Sequence, residues 1–375
     1  MAERSRFHPL LGNAALMLGA VLVALVVAEL ALRLFARDLA GEPVTGNQYQ
    51  FYRYDPALGW SNGPGTRGRF ERAEFSYEMR INSHGLRGPE TTLAKPAGRK
   101  RIAVLGDSFT WGIGASEEEL YTTLIERALP GVEVLNFGVS GYGPVQYHLQ
   151  TATVLSFAPD AVVIAFCLGN DFVDNVFWQR YRYYKPFARL DGKGALVIDG
   201  YPIPNVKRFP STHDRGLVKA LHDRSYLFRL LDRTVLGLVG QLANYGQKGP
   251  KFAEDQSDLY RAPDSAETAA VARVNTALFE RITAAYAAKG IPVIVLAATS
   301  KCEFGECFPG LKGPTDAARK VLARSLAGLP LTLVDPTPAL RLADFWERDG
   351  HWRASGNRKI ADALLPALRR ALAQP

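Results

Sequence analysis

The sequence predicts an α/β protein: a five-stranded parallel sheet covered by helices on both faces, preceded by one membrane-spanning helix and a small β-rich segment. Three observations carry this. Residues 9–28, "PLLGNAALMLGAVLVALVVA", are twenty residues without a charge. Residues 38–99 are cut by Gly, Pro and aromatics into short alternating runs. From residue 100 onward, short apolar runs alternate with stretches of helical spacing, the pattern of a parallel sheet with crossover helices.

The first run is long enough to cross a bilayer core as a helix. No small-x-small cleavage site closes it. Residues 1–37 therefore read as an uncleaved anchor, helical from about 9 to 34. Glu29 and Arg33 follow one helical turn apart and are placed to pair. Arg4 and Arg6 precede the helix and Arg33 and Arg37 follow it, so flanking charge does not set its orientation. In the 38–99 segment, "YDPALGWSNGPGTRGRF" and "YEMRINSHGLRGPE" read as hairpins, because turn residues bracket each alternating run.

The domain over 100–375 follows. "RIAVL" (101–105), "VEVLN" (132–136), "AVVIAF" (161–166), "IPVIVLAAT" (291–299) and "LTLVD" (331–335) are the strand candidates. Strands buried on both faces read as such unbroken apolar runs. Helical spacing fills 116–129, 144–157, about 265–289, 315–327 and 354–373. An insertion at 172–262 breaks the rhythm. Its first sixteen residues hold seven aromatics. Within it, 223–242 reads as an amphipathic helix with Leu227, Leu231, Val235 and Leu238 on one face. Such an insertion packs on the core, walls a substrate site or lies on a membrane surface.

Composition narrows the function. The chain has 375 residues, 47% hydrophobic and 22% charged, with a net charge of +8. Its Lys and Arg are dispersed, with no long basic run. That pattern suits a solvated surface beside a membrane and not a nucleic-acid site. Of three cysteines, Cys302 and Cys307 in "KCEFGEC" are spaced to close a small disulfide loop in an oxidising compartment, with free thiols as the alternative. No second ligand pair or nearby histidine makes a zinc site there. Neither a metal nor a cofactor is expected. Cys167 ends an apolar strand and reads as buried and inert.

Three strand ends carry the chemistry. They run into Gly106-Asp107-Ser108, into "NFGVSGYG" (136–143) and into "CLGND" (167–171). Parallel strands bring these turns to one sheet edge, where ligands bind. Ser108 offers a hydroxyl and its own N–H, Gly141 an N–H unobstructed by a side chain, and Asn170 an amide NH2. These are the donors an oxyanion hole needs. Ser108 alone reads equally as a helix cap. A serine nucleophile needs a base. Of six histidines, His351 in "ERDGHWRASG" follows the fifth strand, and its loop can return to the same edge. Asp349, two residues earlier, is placed to orient the imidazole, with Asp344 and Asp335 as substitutes. Asp107 and Asp171 read as loop braces, and His84 as structural.

"GDSFTWG", the glycine of "VSGYG", "GND" and the late Asp-His pair together resemble the four blocks of the SGNH, or GDSL, hydrolases, over about residues 100–372. The resemblance implies a flavodoxin-like three-layer sandwich and metal-free ester hydrolysis. It implies Ser108 as nucleophile, Gly141 and Asn170 as oxyanion donors with the Ser108 N–H, His351 as base and Asp349 as acid. The usual late block places the acid three residues before the histidine, where this chain has Arg348. The Asp349-x-His351 spacing is similar instead to the acetyltransferase-like branch acting on exported polysaccharides. The "YDPALGW…INSHGLRGPE" segment also looks like membrane-anchored bacterial members.

The expectation is a single-pass protein held in the bilayer, with its catalytic domain outside the cytoplasm, periplasmic or on the cell surface. It hydrolyses a carboxylic ester through Ser108, His351 and Asp349, the acyl group being short, such as acetyl on an envelope glycan. The alternatives are an O-acyltransferase onto an exported polysaccharide, served by a membrane acyl-donor partner, and a non-catalytic envelope protein that keeps the fold. A lipid esterase is a variant of the first reading. No nucleic-acid partner is expected.

Overall fold

A computed structural model describes residues 7–36, 50–181, 183–205, 257–306 and 313–373, with scattered positions from 217 to 234. The chain divides into two compact units: residues 1–47 with 208–248, and residues 48–207 with 249–375.

The first unit holds helix α1 (Phe7–Phe35). Its 12–35 stretch has a mean hydropathy of 2.6 and none of it is buried, so it is long and apolar enough to cross a membrane or to serve as a signal sequence. Arg33 Nε donates to Glu29 Oε1 at 2.7 Å, the pair expected from the i, i+4 spacing. The Glu29 carboxylate also accepts from Ser225 Oγ and from the Tyr226 and Leu227 N–H groups, at 2.9, 3.1 and 2.8 Å. Residues 226–231 are helical. Val235 and Leu238, read as part of the same apolar face, lie outside the described residues.

The second unit opens with two hairpins. Strands β1 (Tyr52–Asp55) and β2 (Gly59–Asn62) pair antiparallel, as do β3 (Arg67–Glu71) and β4 (Ser76–Arg80). Phe51, Phe70, Met79 and Ile81 from this segment bury themselves against Trp111 and Ile113 of the α/β domain. The aromatics that mark the segment in sequence are thus its contact with the sheet layer.

The sheet then builds in chain order. Strand β5 (Lys100–Gly106) leads into the short helix α2 (Ser108–Trp111), then α3 (Tyr121–Ala128) and β6 (Val132–Asn136). Helices α4 (Pro144–Leu149) and α5 (Thr151–Ser156) precede β7 (Ala161–Cys167) and the short α6 (Asp171–Asp174). Four small strands follow: β8 (Gln179–Arg180), β9 (Tyr183–Tyr184), β10 (Phe187–Leu190) and β11 (Leu196–Asp199). They pair as two antiparallel ladders, β8 with β9 and β10 with β11. Next come α7 (Ser257–Arg261), α8 (Ala266–Ala287), β12 (Val293–Ala298), α9 (Ala317–Leu326), β13 (Thr332–Val334) and α10 (Ala354–Leu372).

The sheet order is β13-β12-β7-β5-β6, all parallel. Counted by first appearance among these five, that is 2-1-3-4-5, the flavodoxin-like order, whose ligand crevice opens between the first and third strands. Here those are β5 and β7. All seven residues of β7 and all six of β12 are buried, which is why their sequences are continuous apolar runs. One face of the sheet packs Ile102, Val104, Val163 and Leu296 against Ile125 of α3 and Ile360, Leu364 and Leu368 of α10.

Two helices differ from their sequence reading. The 116–129 stretch is a 3-10 turn over Glu117–Glu119 followed by α3, with Leu120 extended between them. The 144–157 stretch is divided at Gln150 into α4 and α5. In both, apolar spacing continues across the break, so periodicity alone merges the two pieces.

Candidate active site

Asp107, not Ser108, caps the helix that follows β5: its Oδ1 accepts from the Phe109 N–H at 2.9 Å. Ser108 is the first helical residue. The capping alternative for Ser108 is therefore filled by its neighbour. At that position the serine N–H has no carbonyl one turn back to bond. The hydroxyl lies 2.8 Å from His351 Nε2 and 3.3 Å from Asp107 Oδ2. Burial pushes the Asp107 carboxyl up, against the Phe109 N–H, which holds it down.

His351 and Asp349 share one short loop. An isolated antiparallel bridge between Phe345 and Trp352 closes its base. Inside it the Trp346 N–H donates to the His351 carbonyl at 2.9 Å, and the Gly350 N–H to the Trp346 carbonyl at 3.2 Å. Gly350 has φ +83°, a left-handed turn that folds Asp349 back beside the next-but-one residue. The Asp349 Oδ1 thus meets His351 Nδ1. Phe109 packs on the imidazole with centroids 4.7 Å apart, and Trp352, buried, fixes the loop's exit through Nε1–H to the Thr299 carbonyl at 3.0 Å. Burial would raise the Asp349 carboxyl, but the His351 imidazole and the Arg72 guanidinium hold it at about 2. It is ionised at neutral pH.

The other aspartates considered for this role are engaged elsewhere. Asp344 accepts from the Arg341 N–H and from Lys359 Nζ, each at 2.7 Å. Asp335 accepts from Arg319 and from the Thr337 N–H, at 3.0 and 2.9 Å. Arg348, at the position usual for the acid, contributes its backbone N–H to the Glu74 carboxylate at 2.9 Å.

Gly141 follows β6 in a turn with φ +81°, and a Cβ there would lie 2.5 Å from the Tyr181 ring and 3.1 Å from that of Trp60. Trp60 Nε1–H donates to the Ser140 carbonyl at 3.0 Å, which fixes the turn. Among the described residues no protein oxygen accepts from the N–H of Ser108 or of Gly141. Tyr181 itself has φ +51°, a costly backbone for a bulky residue. Asn170 follows β7. Its Nδ2 donates to Asp174 Oδ2 at 2.6 Å, with a longer contact of 3.4 Å to Asp171 Oδ1. The Asn170 amide is therefore aimed by a buried carboxylate, and no bond joins it to Ser108 or His351. Asp171 braces its turn, accepting from the Cys167 N–H and Tyr147 hydroxyl at 3.0 and 3.2 Å. Burial, with Asp107 and Asp174 close by, pushes its carboxyl well up. His84 stands apart, its ring edge-on to Phe157 at 5.4 Å.

The hairpin segment supplies contacts that sequence reasoning missed. Arg87, buried, donates to the carbonyls of Trp111, the last residue of α2, and of Gly112 and Ala115 just beyond it. Asn62 Nδ2 donates to the Gly138 carbonyl at 3.2 Å. Arg72 lies 3.4 Å from Asp349 Oδ2. Most of these bonds end on backbone carbonyls, which carry no residue signature.

Such an arrangement can pass a serine proton to an imidazole steadied by an ionised carboxylate. Among the described residues no cluster of His, Cys, Asp and Glu is suited to a metal.

Comparison with known proteins gives a family match and a set of distant structural likenesses. Residues 104–233 match the model of the GDSL-like lipase/acylhydrolase family. Among solved structures, the chain is similar to TesA at 14% identity and a TM-score of 0.39, covering 73% of this chain and 100% of that one. It is similar to the acetyl xylan esterase AlAXEase at 14% identity and a TM-score of 0.38, covering 72% and 99%. It is also similar to a carbohydrate acetylesterase family member from Sinorhizobium meliloti at 11% identity and a TM-score of 0.34, covering 73% and 100%. No curated protein matches. The matched stretch begins inside β5 and takes in the Gly-Asp-Ser, Gly141 and Gly-Asn-Asp turns, and over it this chain is similar to the GDSL-like lipase/acylhydrolase family.

Proposed function

We propose that this protein is a bilayer-anchored serine esterase. The observation that carries the reading is the hydrogen-bonded chain from Ser108 Oγ through both nitrogens of His351 to Asp349. Ser108 Oγ attacks the ester carbonyl while Nε2 takes its proton. The carbonyl oxygen gathers negative charge, which the N–H groups of Ser108 and Gly141 and the Asn170 amide receive. His351 returns the proton to the departing alcohol as the carbon–oxygen bond breaks. Water then attacks the acyl-enzyme by the same route and frees the carboxylic acid. Asp349 stays ionised throughout and holds Nδ1–H, so that Nε2 is the free base.

The late block's resemblance to the branch acting on polysaccharides supports a short acyl group on an envelope glycan. The same Asp349-x-His351 spacing favours a second reading, in which a sugar hydroxyl replaces water and the acyl group is transferred. Cys302 is disulfide-bonded while Cys167 is free and buried, which supports a catalytic domain outside the cytoplasm; Cys307 lies outside the described residues. Incubating the protein with p-nitrophenyl acetate, with and without oligosaccharide acceptors, tests all three classes. Acetate release supports the esterase, acetylated glycan the transferase. A folded protein that neither turns over nor labels with a fluorophosphonate supports a non-catalytic role.

Two substitutions probe the roles separately. Asp349→Asn keeps the size of the side chain but presents His351 with the wrong partner, so kcat is expected to fall by about 10^3–10^4-fold. Steady-state kinetics at neutral pH check it; a loss under tenfold would remove Asp349 from the set. Gly141→Ala forces a left-handed backbone and a methyl into the Tyr181 ring. It is expected to cost about 100-fold in kcat by displacing one oxyanion donor. It is also expected to cost about 1–2 kcal/mol of stability. A variant that loses stability but keeps kcat would make Gly141 a turn residue only.

A further inference from the structure

The turn between β3 and β4 reaches the loop that carries Asp349 and His351. Glu74, in that turn, accepts three consecutive backbone N–H groups. Glu347 donates to its Oε1 at 2.9 Å, and Arg348 and Asp349 to its Oε2 at 2.9 and 2.7 Å. Three successive amides converging on one anion form a concave nest, and each bond to the charged carboxylate is stronger than a neutral one. Two residues before Glu74, Arg72 reaches the Asp349 oxygen that faces away from His351. The same turn thus holds the loop's backbone and touches its acid.

We propose that Glu74 is a positioning residue for the reaction: it fixes the backbone of 347–349 and so aims Asp349 at His351 Nδ1, with Arg72 as the second contact. This rests on the reading of Ser108, His351 and Asp349 as the reacting set. The physical case is one of direction. Asp349 and His351 are two residues apart on a loop turned by Gly350, so a small rotation at 347–349 swings the carboxylate off Nδ1. The loop's own bonds, from Trp346 and Gly350, flank residues 347–349 on either side, and Lys301 Nζ donates to the Glu347 carbonyl at 2.8 Å. Glu74 ties the backbone N–H groups of residues 347–349 to the hairpin segment, and Arg72 ties the Asp349 carboxylate to it. The Asp349-x-His351 spacing, which leaves the acid on a tight loop, accordingly comes with an outside clamp from more than 270 residues earlier in the chain.

The test uses the full chain in detergent and the variant Glu74→Gln, which keeps the side chain's length but turns one acceptor oxygen into a donor facing N–H groups. Turnover of p-nitrophenyl acetate is expected to lose about 30-fold in kcat with KM unchanged, less than the 100-fold of a full ångström's misplacement. The far-downfield proton resonance of the His351 Nδ1–H bond, assigned by its loss in His351→Gln, is expected to shift or broaden. Glu74→Asp, which keeps the charge, should recover part of the rate. A kcat within threefold of the wild type, or an unaltered resonance, overturns the proposal. If Glu74→Gln does not fold, Glu74→Asp carries the test. It keeps the charge but draws the carboxylate back by one methylene from the three amides, and it is expected to shift the resonance and lower kcat severalfold; no change in either overturns the proposal. If the wild type neither turns over nor labels at Ser108, the esterase reading fails. The resonance then still decides whether Glu74 aims Asp349.

Discussion

Ser108→Ala is expected to lower turnover of p-nitrophenyl acetate by about 10^4-fold or more, and to remove the covalent acetyl-enzyme seen by intact mass. The size follows from the geometry. In the proposed mechanism the hydroxyl, 2.8 Å from His351 Nε2, is the nucleophile, so its removal would leave only binding and the oxyanion donors. The stability change should be small, because the substitution removes one oxygen from a residue held in place by the Asp107 cap and the helix that follows. Retained activity would place the nucleophile elsewhere. His351→Gln should give a loss of similar size, and a double variant should be hardly worse than either single one, because the two groups act as a unit.

Arg87→Ala is expected to give the largest loss of stability, about 3–5 kcal/mol. The guanidinium is buried and donates to three carbonyls where the chain leaves α2, with Tyr77 sharing the Gly112 oxygen. Burial lowers the basicity of Arg87, which remains a cation. Truncation takes the guanidinium donor from all three carbonyls, leaves Gly112 to Tyr77, and opens a cavity beside that ring. Arg87→Lys should recover little, since one ammonium cannot span the three acceptors as the planar fork does. Urea unfolding of both variants checks this. A loss below 1 kcal/mol would mean that water takes over the three carbonyls. The activity of the surviving folded protein should also fall, because those carbonyls lie within seven residues of Ser108 in a single continuous turn.

Much of the site is legible from sequence because parallel strands leave a strong imprint. Buried on both faces, β5, β7 and β12 are nearly pure apolar runs, and each run ends where polar turn residues begin. Gly-Asp-Ser, Gly141 and Gly-Asn-Asp can therefore be placed at one sheet edge before any coordinates are known. His351 and Asp349 follow from being a histidine and an acid after the last strand. What stays hidden depends on contacts between side chains and distant backbone. Glu74 is one acid among many in a polar hairpin, and its three partners are amides that every residue possesses. Asn170 stands out in the Gly-Asn-Asp turn, but nothing in the sequence marks Asp174, the carboxylate to which its amide donates. The ladders between 179 and 199 are obscured for another reason: aromatic density there signals packing without a period.

The hairpin segment touches each of the three loops on which the proposed chemistry depends. Arg87 holds the carbonyls beyond Ser108, Trp60 and Asn62 hold the turn of Gly141, and Glu74 holds the loop of Asp349. The stretch recognisable by family begins at residue 104, well after all of them. What can be recognised and what can be transplanted are therefore different lengths of chain. A graft of the chain from residue 104 onward would deliver Ser108, Gly141, Asn170, Asp349 and His351 to its new host and leave behind the side chains that hold their loops. The portable unit starts near residue 50, and inheritance of this chemistry by recombination would have to carry the hairpins along.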